Sequence, residues 1–392
     1  MTDKNEADTS IRRSLINKAV ELRRPISCYF ELTHKCNLRC PMCYIRMTDE
    51  QAAAYGQMFP VDMWKNMAKQ VRDAGVLSIT FTGGECTTYP GFAELYRECY
   101  RLGFRVTMIS NAVAYDDELH DLFREYPPYH VAVTLYGACN ETYRIITGVA
   151  DGYDRATKNI DFFRSLGVPV VVNFVGIRQN IRDLPAIDQF CRERRIRLAF
   201  DTDMSDHNYD PSFSDVEKCR LTTAERVELL FHPLSDVEAA LEDAKKLEGL
   251  LDNYSFEKGD NSDLEFRPCI GSYSSAAIAW NGKLYTCVSM AGRCKGYEPF
   301  KVGFEVAWQQ MMKAHDEFFD YAPQCKECAL FRKCSRHCAA QNLQGGGDVK
   351  IPDPEQCRFE WLRNKRGHMK GADDVNADTM LGDCDIIIET KV

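Results

Sequence analysis

Short apolar segments alternate with amphipathic ones along the first half of the chain. Six segments are rich in β-branched and aromatic residues and bounded by turn formers, the signature of strands: 26–32, 77–82, 104–110, 130–136, 169–175 and 196–202. Between them, apolar positions recur at helical spacing over 60–74, 89–101, 116–125, 153–166 and 183–194. Gly75, Gly103 and Gly167 fall where helix C-termini are expected. A leading helix is predicted over 11–24, with Arg12, Arg13, Arg23 and Arg24 on a solvated face.

Strand–helix alternation at this spacing predicts an α/β fold with a parallel sheet. Six units are too few for a closed eight-unit barrel, which leaves a partial (β/α)6 TIM-like barrel with one open side. A doubly wound sheet is the competing layout. The expected organisation is an N-terminal helical segment (1–25), the partial barrel (26–203), an acidic helical bridge (204–268), a cysteine-rich domain (269–357) and a tail (358–392). The bridge carries helical stretches near 222–231 and 235–251, whereas 269–357 shows little periodicity.

The 392 residues are 45% hydrophobic and 11% aromatic, enough for a sizeable core, so wholesale disorder is excluded. No apolar run reaches the roughly 18 residues of a membrane span. The polar N-terminus lacks an export signal, so a cytoplasmic location is expected. With 49 basic against 58 acidic residues the net charge is −9, unfavourable for general nucleic-acid binding. The 18 cysteines stand out. In a reducing compartment they do not form a disulfide framework, and clusters of them read as metal ligands.

Cys36, Cys40 and Cys43 form C-x3-C-x2-C directly after the first strand. Three thiolates on one loop suit an iron–sulfur cluster with its fourth position open, and zinc is the alternative, although His34 is badly placed to complete such a site. Gly83-Gly84-Glu85 ends the second strand, where α/β folds place their sites. Its glycines let backbone approach a ligand closely, and its carboxylate suits an amine. A second constellation is C-x12-G-x4-C over Cys269, Gly282 and Cys287, followed by C-x2-C-x5-C-x3-C over Cys325, Cys328, Cys334 and Cys338, then Cys357. The four-cysteine run is expected by chance only about 0.002 times in such a chain. WNGKLYT reads as an Asn-Gly hairpin that brings Cys269 and Cys287 together.

With these motifs the chain resembles the radical S-adenosylmethionine enzymes over roughly 26–203, and their C-terminal SPASM extension thereafter. The resemblance implies that Cys36, Cys40 and Cys43 bind a [4Fe–4S] cluster whose open iron is chelated by S-adenosylmethionine. It further implies that Gly83, Gly84 and Glu85 hold the cofactor amine, that Ser110 and Asn111 contact it, that Arg144 approaches its carboxylate and that Asn173 faces its ribose. Met42 stands where an aromatic residue is common and can fill the wall beside the adenine; Tyr44 supplies an aromatic just after the third cysteine. Two auxiliary clusters are implied: one on Cys325, Cys328, Cys334 and Cys357, the other on Cys269, Cys287 and Cys338. The usual fourth cysteine of the latter is missing between Cys269 and Cys287; Cys294 is the nearest spare, and otherwise an iron stays open. Zinc ribbons are the alternative.

The other cysteines read more plainly. Cys28, Cys99, Cys139 and Cys191 are expected as buried small hydrophobes, Cys86 as structural, Cys219 in the bridge and Cys384 free in the tail. Tyr136 is a candidate for shaping the pocket, and Asp201 and Asp203 for contacting substrate or simply ending a strand in solvent. His337 lies between ligand cysteines, and Gly345-Gly346-Gly347 reads as a flexible loop. A primary-carbon radical needs a shielded cavity, and apolar strands are expected to wall it.

Enzymes of this type mostly modify peptides. The expectation is an oxidoreductase that cross-links a ribosomally made peptide, served by a flavodoxin- or ferredoxin-type electron donor. Alternatives are oxidation or epimerisation of a small molecule, formylglycine formation, and a zinc-bound binding module without catalysis. Val288 follows Cys287 where formylglycine-forming maturases carry an Asp, which removes their base. About 25 residues precede the first strand, so no N-terminal leader-binding domain is expected.

Overall fold

The structure, a computed structural model, describes residues 13–261, 269, 271–318, 322–334 and 338–370. Arg12, His337 and Cys384 lie outside the described residues. All six expected strands form: β1 (Ser27–Glu31), β2 (Ser78–Thr82), β3 (Arg105–Ser110), β4 (His130–Thr134), β5 (Val170–Val175) and β6 (Arg197–Asp201). They pair in parallel and in chain order. The order never reverses, so there is no switch point of the kind a doubly wound sheet requires, and the winding is that of a partial barrel.

The intervening helices are amphipathic and pack on one side of the sheet. Val61–Asp73 buries Trp64, Met67, Ala68 and Val71, and Phe92–Arg101 buries Phe92, Leu95, Tyr96 and Cys99. Their ends follow local chemistry. Asp116 caps Asp117–Glu125 by accepting from the Leu119 N–H at 2.9 Å. Gly75, Gly103 and Gly167 adopt φ of 96°, 79° and 73°, the left-handed stop that a side chain resists. The helix expected from residue 89 starts at Phe92, because Cys86–Thr88 form a 3-10 turn and Gly91 enters the helix at φ 90°.

Two strands from the cysteine-rich segment extend the sheet. β7 (Ser275–Ile278) lies parallel to β1, and β8 (Leu284–Tyr285) returns antiparallel to it. The connection contains Asn281 and Gly282 (φ 76°), as expected for the hairpin, with Ala279 N–H bonded to Lys283 O at 2.9 Å. A 15-residue helix, Phe304–Phe318, then packs Phe304, Ala307, Trp308, Met311 and Met312 into the main core. This helix departs from the expectation of little periodicity over 269–357. Its apolar positions fall at i, i+3, i+4, i+7 and i+8, and burial against Val61–Asp73 gives them a partner. Arg23 belongs to the same junction rather than to a solvated face alone. Its carbonyl accepts from Trp308 Nε1 at 2.8 Å and its guanidinium pairs with Asp316 at 2.6 Å.

A second core joins the bridge to the end of the described chain. Helices Thr223–Phe231 and Val237–Leu247 meet Pro354–Lys370, burying Val227, Leu247, Phe359, Trp361 and Leu362. The boundary expected at 357/358 therefore falls inside a helix. Gly345 and Gly346 end the helix Ala339–Gly345, and Gly347 turns the chain at φ 76°.

The inner wall of the barrel mixes the expected apolar residues with polar ones. Val106, Met108, Val131, Val133, Val172 and Phe174 belong to the main core shared with the helices. Strand alternation turns the intervening residues inward, and these are mixed: Glu31, Thr82, Thr107, Thr134, Asn173 and Asp201 are polar, while Tyr29, Ile109, Val171 and Val175 are aromatic or aliphatic. The more apolar face of each strand is spent on the helices, so the cavity wall also carries hydrogen-bonding groups. Glu31 is fully buried; one carboxyl oxygen accepts weakly from the Trp280 N–H (3.4 Å) and the other has no partner.

Burial pushes the Glu31 carboxyl from its ordinary 4.5 up to about 8. The folded chain then keeps a proton that the unfolded chain releases, so its stability declines as pH rises from about 5 to 8. Glu31→Gln, neutral throughout, should flatten this decline in thermal-unfolding temperatures of the holoprotein. An unaltered pH slope would contradict the assignment.

Candidate active site and auxiliary cysteine sites

The first cysteine loop leaves the C-terminal end of β1 and is held there by the end of β2. Gly84 N–H donates to Thr33 O at 2.7 Å, and Glu85 N–H to Lys35 O at 2.9 Å. A Cβ on Gly83 would lie 2.6 Å from Thr33 O, and one on Gly84 would overlap Lys35 O. The glycines thus let one backbone approach another: they seat the cysteine loop.

Glu85 completes the seat. Its fully buried carboxylate accepts from Ser110 Oγ (2.8 Å), the Asn111 N–H (2.8 Å) and Thr87 Oγ1 (2.8 Å), tying the ends of β2 and β3 together. Asn111 in turn donates from Nδ2 to Asn37 Oδ1 at 2.9 Å and toward Cys36 Sγ at 3.6 Å. Ser110, Asn111, Gly83, Gly84 and Glu85 are therefore brought to the cysteine loop together. Thr87 had no sequence signal beyond its place after the motif.

Backbone donors point at the sulfurs: the Leu38 N–H at Cys36 (3.4 Å) and the Arg46 N–H at Cys43 (3.3 Å). Tyr136 lies close enough to Cys40, Cys36 and Cys43 for their charges to act on its hydroxyl, which gives that strand-end tyrosine a definite place beside the cysteines. Burial nevertheless pushes all three thiols up, Cys36 to about 12, with the Glu85 charge adding to the effect. Such thiols ionise only when a metal charge sits against them. Among the described residues no three cysteine sulfurs lie within 4.8 Å of one another. Tetrahedral zinc with bonds of about 2.3 Å would need sulfurs about 3.8 Å apart. In a polynuclear cluster each thiolate takes its own metal, so the sulfurs can stand farther apart. His34 faces Asp49 at 3.3 Å, and its ring centre lies 4.6 Å from that of Trp280, the planes tilted by 59°.

The remaining candidates are distributed. Asn173 lies on the inward face of β5 with its Oδ1 unpartnered. Tyr44 packs with Ile45 and Trp280, and Met42 with Tyr136 and Ile146. Arg144 is not gathered into this site; it is exposed on the helix Asn140–Thr147 and paired with Glu141 at 2.6 Å. Cys28, Cys86, Cys99, Cys191 and Cys219 are buried, but Cys139 is exposed, because it occupies the N-cap of that helix.

Cys325, Cys328, Cys334 and Cys357 line one cavity with Tyr254, Phe331 and Trp361. Burial and the mutual repulsion of Cys325, Cys357 and Cys328 push the Cys325 thiol up to about 12. The Tyr254 hydroxyl reaches Cys357, a contact with no sequence signal. Cys269, Cys287 and Cys338 form a second group, in which Cys338 feels both others. Cys294 packs with Cys287 and Cys338, and burial and Cys287 raise its thiol to about 12.

Asp203 does not end β6 in solvent. It pairs with Arg226, which is 1% exposed, and accepts from Gln341 (3.3 Å) and Gln356 (3.5 Å). Gln341 follows Cys338 by three residues and Gln356 precedes Cys357, so one carboxylate ties the barrel to both cysteine groups.

Residues 30–191, which span the cysteine loop, the glycine pair and the sheet, match the family described as the Radical SAM superfamily. The chain carries a radical S-adenosylmethionine domain. It is 30% identical over 179 residues to the PqqA peptide cyclase of Rhodopseudomonas palustris and 27% identical over 165 residues to that of Bradyrhizobium diazoefficiens. These alignments cover 46% and 42% of this chain and 45% and 43% of those proteins, so the chain spans less than half the length of the curated relatives it matches. In fold it is similar to SuiB of Streptococcus suis bound to its precursor peptide SuiA (TM-score 0.62, 19% identity, 89% of this chain and 79% of that one). It is similarly close to anSMEcpe with bound AdoMet and the Kp18Cys peptide (TM-score 0.62, 17% identity, 88% of this chain and 98% of that one).

Removing Asp203 would leave buried Arg226 with only the more distant Glu355 carboxylate, 3.9 Å away, as a counter-charge. Asp203→Ala should destabilise the protein by about 3–5 kcal/mol. Thermal unfolding of the anaerobic holoprotein measures this, and an unchanged transition would refute the buried pairing.

Proposed function

We propose that this protein is a radical S-adenosylmethionine enzyme that oxidatively modifies a ribosomally made peptide, joining a side chain to a second position in a cross-link. The carrying observation is the loop of Cys36, Cys40 and Cys43: three desolvated thiols seated together at the mouth of an open parallel barrel. Likeness to the PqqA peptide cyclases over the matched segment favours a peptide substrate.

When bound, the cluster and its nucleotide supply one electron and a carbon-centred radical able to take a hydrogen atom. The protein supplies the rest. Gly83, Gly84 and Glu85 hold the loop in place, and Asn111 sets a donor beside Cys36. Polar residues of the inner wall, with Asn173 unpartnered on β5, orient nucleotide and substrate. The open side admits an extended chain.

Cross-linking breaks one C–H bond by transfer of a hydrogen atom to the nucleoside. It then releases one proton and one further electron as the new bond closes. Two auxiliary clusters would receive that electron, one on Cys325, Cys328, Cys334 and Cys357, the other on Cys269, Cys287, Cys294 and Cys338. A flavodoxin- or ferredoxin-type donor completes the cycle.

The anaerobic holoprotein should be brown and carry about 12 iron atoms per chain, four for each of three clusters. Incubated reduced with S-adenosylmethionine and a short peptide encoded beside its gene, it should lower the peptide mass by two hydrogens. An unchanged peptide beside abundant 5′-deoxyadenosine would overturn the peptide reading.

A further inference from the structure

The segment after β6 crosses the mouth of the barrel as a strap, and its contacts fall on residues flanking two separate groups of cysteines. On one side it grips the first cysteine loop. The Asp215 N–H donates to Pro41 O at 2.8 Å, the Asn208 N–H to Tyr44 O at 2.8 Å, and His207 Nε2 lies 3.2 Å from Arg46 O. Pro41 follows Cys40 and Tyr44 follows Cys43.

On the other side it grips the loop that carries Cys287 and Cys294. Asn208 Nδ2 donates to Val288 O at 3.2 Å, and Asn208 Oδ1 accepts from Arg293 Nε at 3.2 Å. Arg293 also donates to Asp206 O. Val288 follows Cys287 and Arg293 precedes Cys294. Gly292, at φ 75°, gives the room: a Cβ there would lie 2.6 Å from the Tyr209 ring and 3.0 Å from Asn208 O.

Asn208 is 3% exposed and uses its backbone N–H, its amide nitrogen and its amide oxygen on three partners. No other side-chain type of this size offers a donor and an acceptor at once in a planar fork. We propose that Asn208 is a positioning residue that locks the loop of Cys40 and Cys43 to the loop of Cys287 and Cys294. It thereby fixes the separation and orientation of the two metal sites. This rests on the reading of both loops as cluster ligands.

The backbone link survives any substitution, so the side-chain links can be tested alone. Asn208→Asp keeps the acceptor for Arg293 and loses the donor for Val288; Asn208→Ala loses both. Each holoprotein is assayed for iron, reduced with dithionite, and studied by pulsed electron paramagnetic resonance. The readout is the relaxation enhancement and dipolar broadening that the nearer auxiliary cluster imposes on the cluster signal altered by S-adenosylmethionine.

The interaction should be strongest and most uniform in the wild type, weaker in Asn208→Asp, and lost into a broad distribution in Asn208→Ala, with full iron throughout. Equal interaction in all three iron-replete proteins would overturn the role of Asn208 alone. A wild type holding iron for a single cluster would overturn the cluster reading as well. If Asn208→Ala fails to fold, the near-isosteric Asn208→Asp decides by the same comparison.

Discussion

The close approach of the Gly83–Gly84 backbone to the residues before Cys36 is the contact on which the site depends. It has no room for a single additional carbon, and it is reinforced by two backbone hydrogen bonds and by the buried carboxylate of Glu85. The result is a loop with little freedom that carries three sulfurs into a desolvated place. Desolvation alone would keep those sulfurs protonated. The N–H groups of Leu38 and Arg46 and the amide of Asn111 favour the opposite state, and a bound metal charge decides between them. The site is built for something cationic.

The rest of the chain extends that arrangement outward. The sheet continues past β1 into β7 and β8, so the second group of cysteines hangs from the same hydrogen-bonded framework as the first. The Asp203–Arg226 pair and the strap at 206–215 then fasten the cysteine groups to the barrel mouth from two directions. Burying Arg226 is costly, and the cost is offset chiefly by Asp203, with Glu355 farther off at 3.9 Å. A buried pair of this kind does more for alignment than for net stability.

Much of this was legible in the sequence, for identifiable reasons. β1 to β6 announce themselves because a strand buried on one face needs β-branched and aromatic residues there, and the helices because one face must be apolar. The cysteine triplets survive as signals because metal ligation demands side-chain chemistry that nothing else can supply. The pairing of β7 with β1 was not legible, since it joins residues some 250 positions apart and leaves no local trace. The helix Phe304–Phe318 carries a clear period that the surrounding cysteines obscured. Asn208 is one polar residue in an irregular stretch, and only its three partners give it meaning. The bonds of Glu85 to Ser110 and Asn111 left no trace in the sequence, and Arg144 lies on the surface beside Glu141.

The central claim is that Cys36, Cys40 and Cys43 hold a cluster with one position left for a nucleotide. Electron paramagnetic resonance of the reduced protein, recorded with and without S-adenosylmethionine, tests it in a variant whose Cys325, Cys328, Cys334 and Cys357 are replaced by alanine. The account requires one cluster signal to shift on addition of S-adenosylmethionine and to vanish when Cys36, Cys40 and Cys43 are also replaced. A spectrum indifferent to S-adenosylmethionine, or a shift that survives loss of these three cysteines, would contradict it.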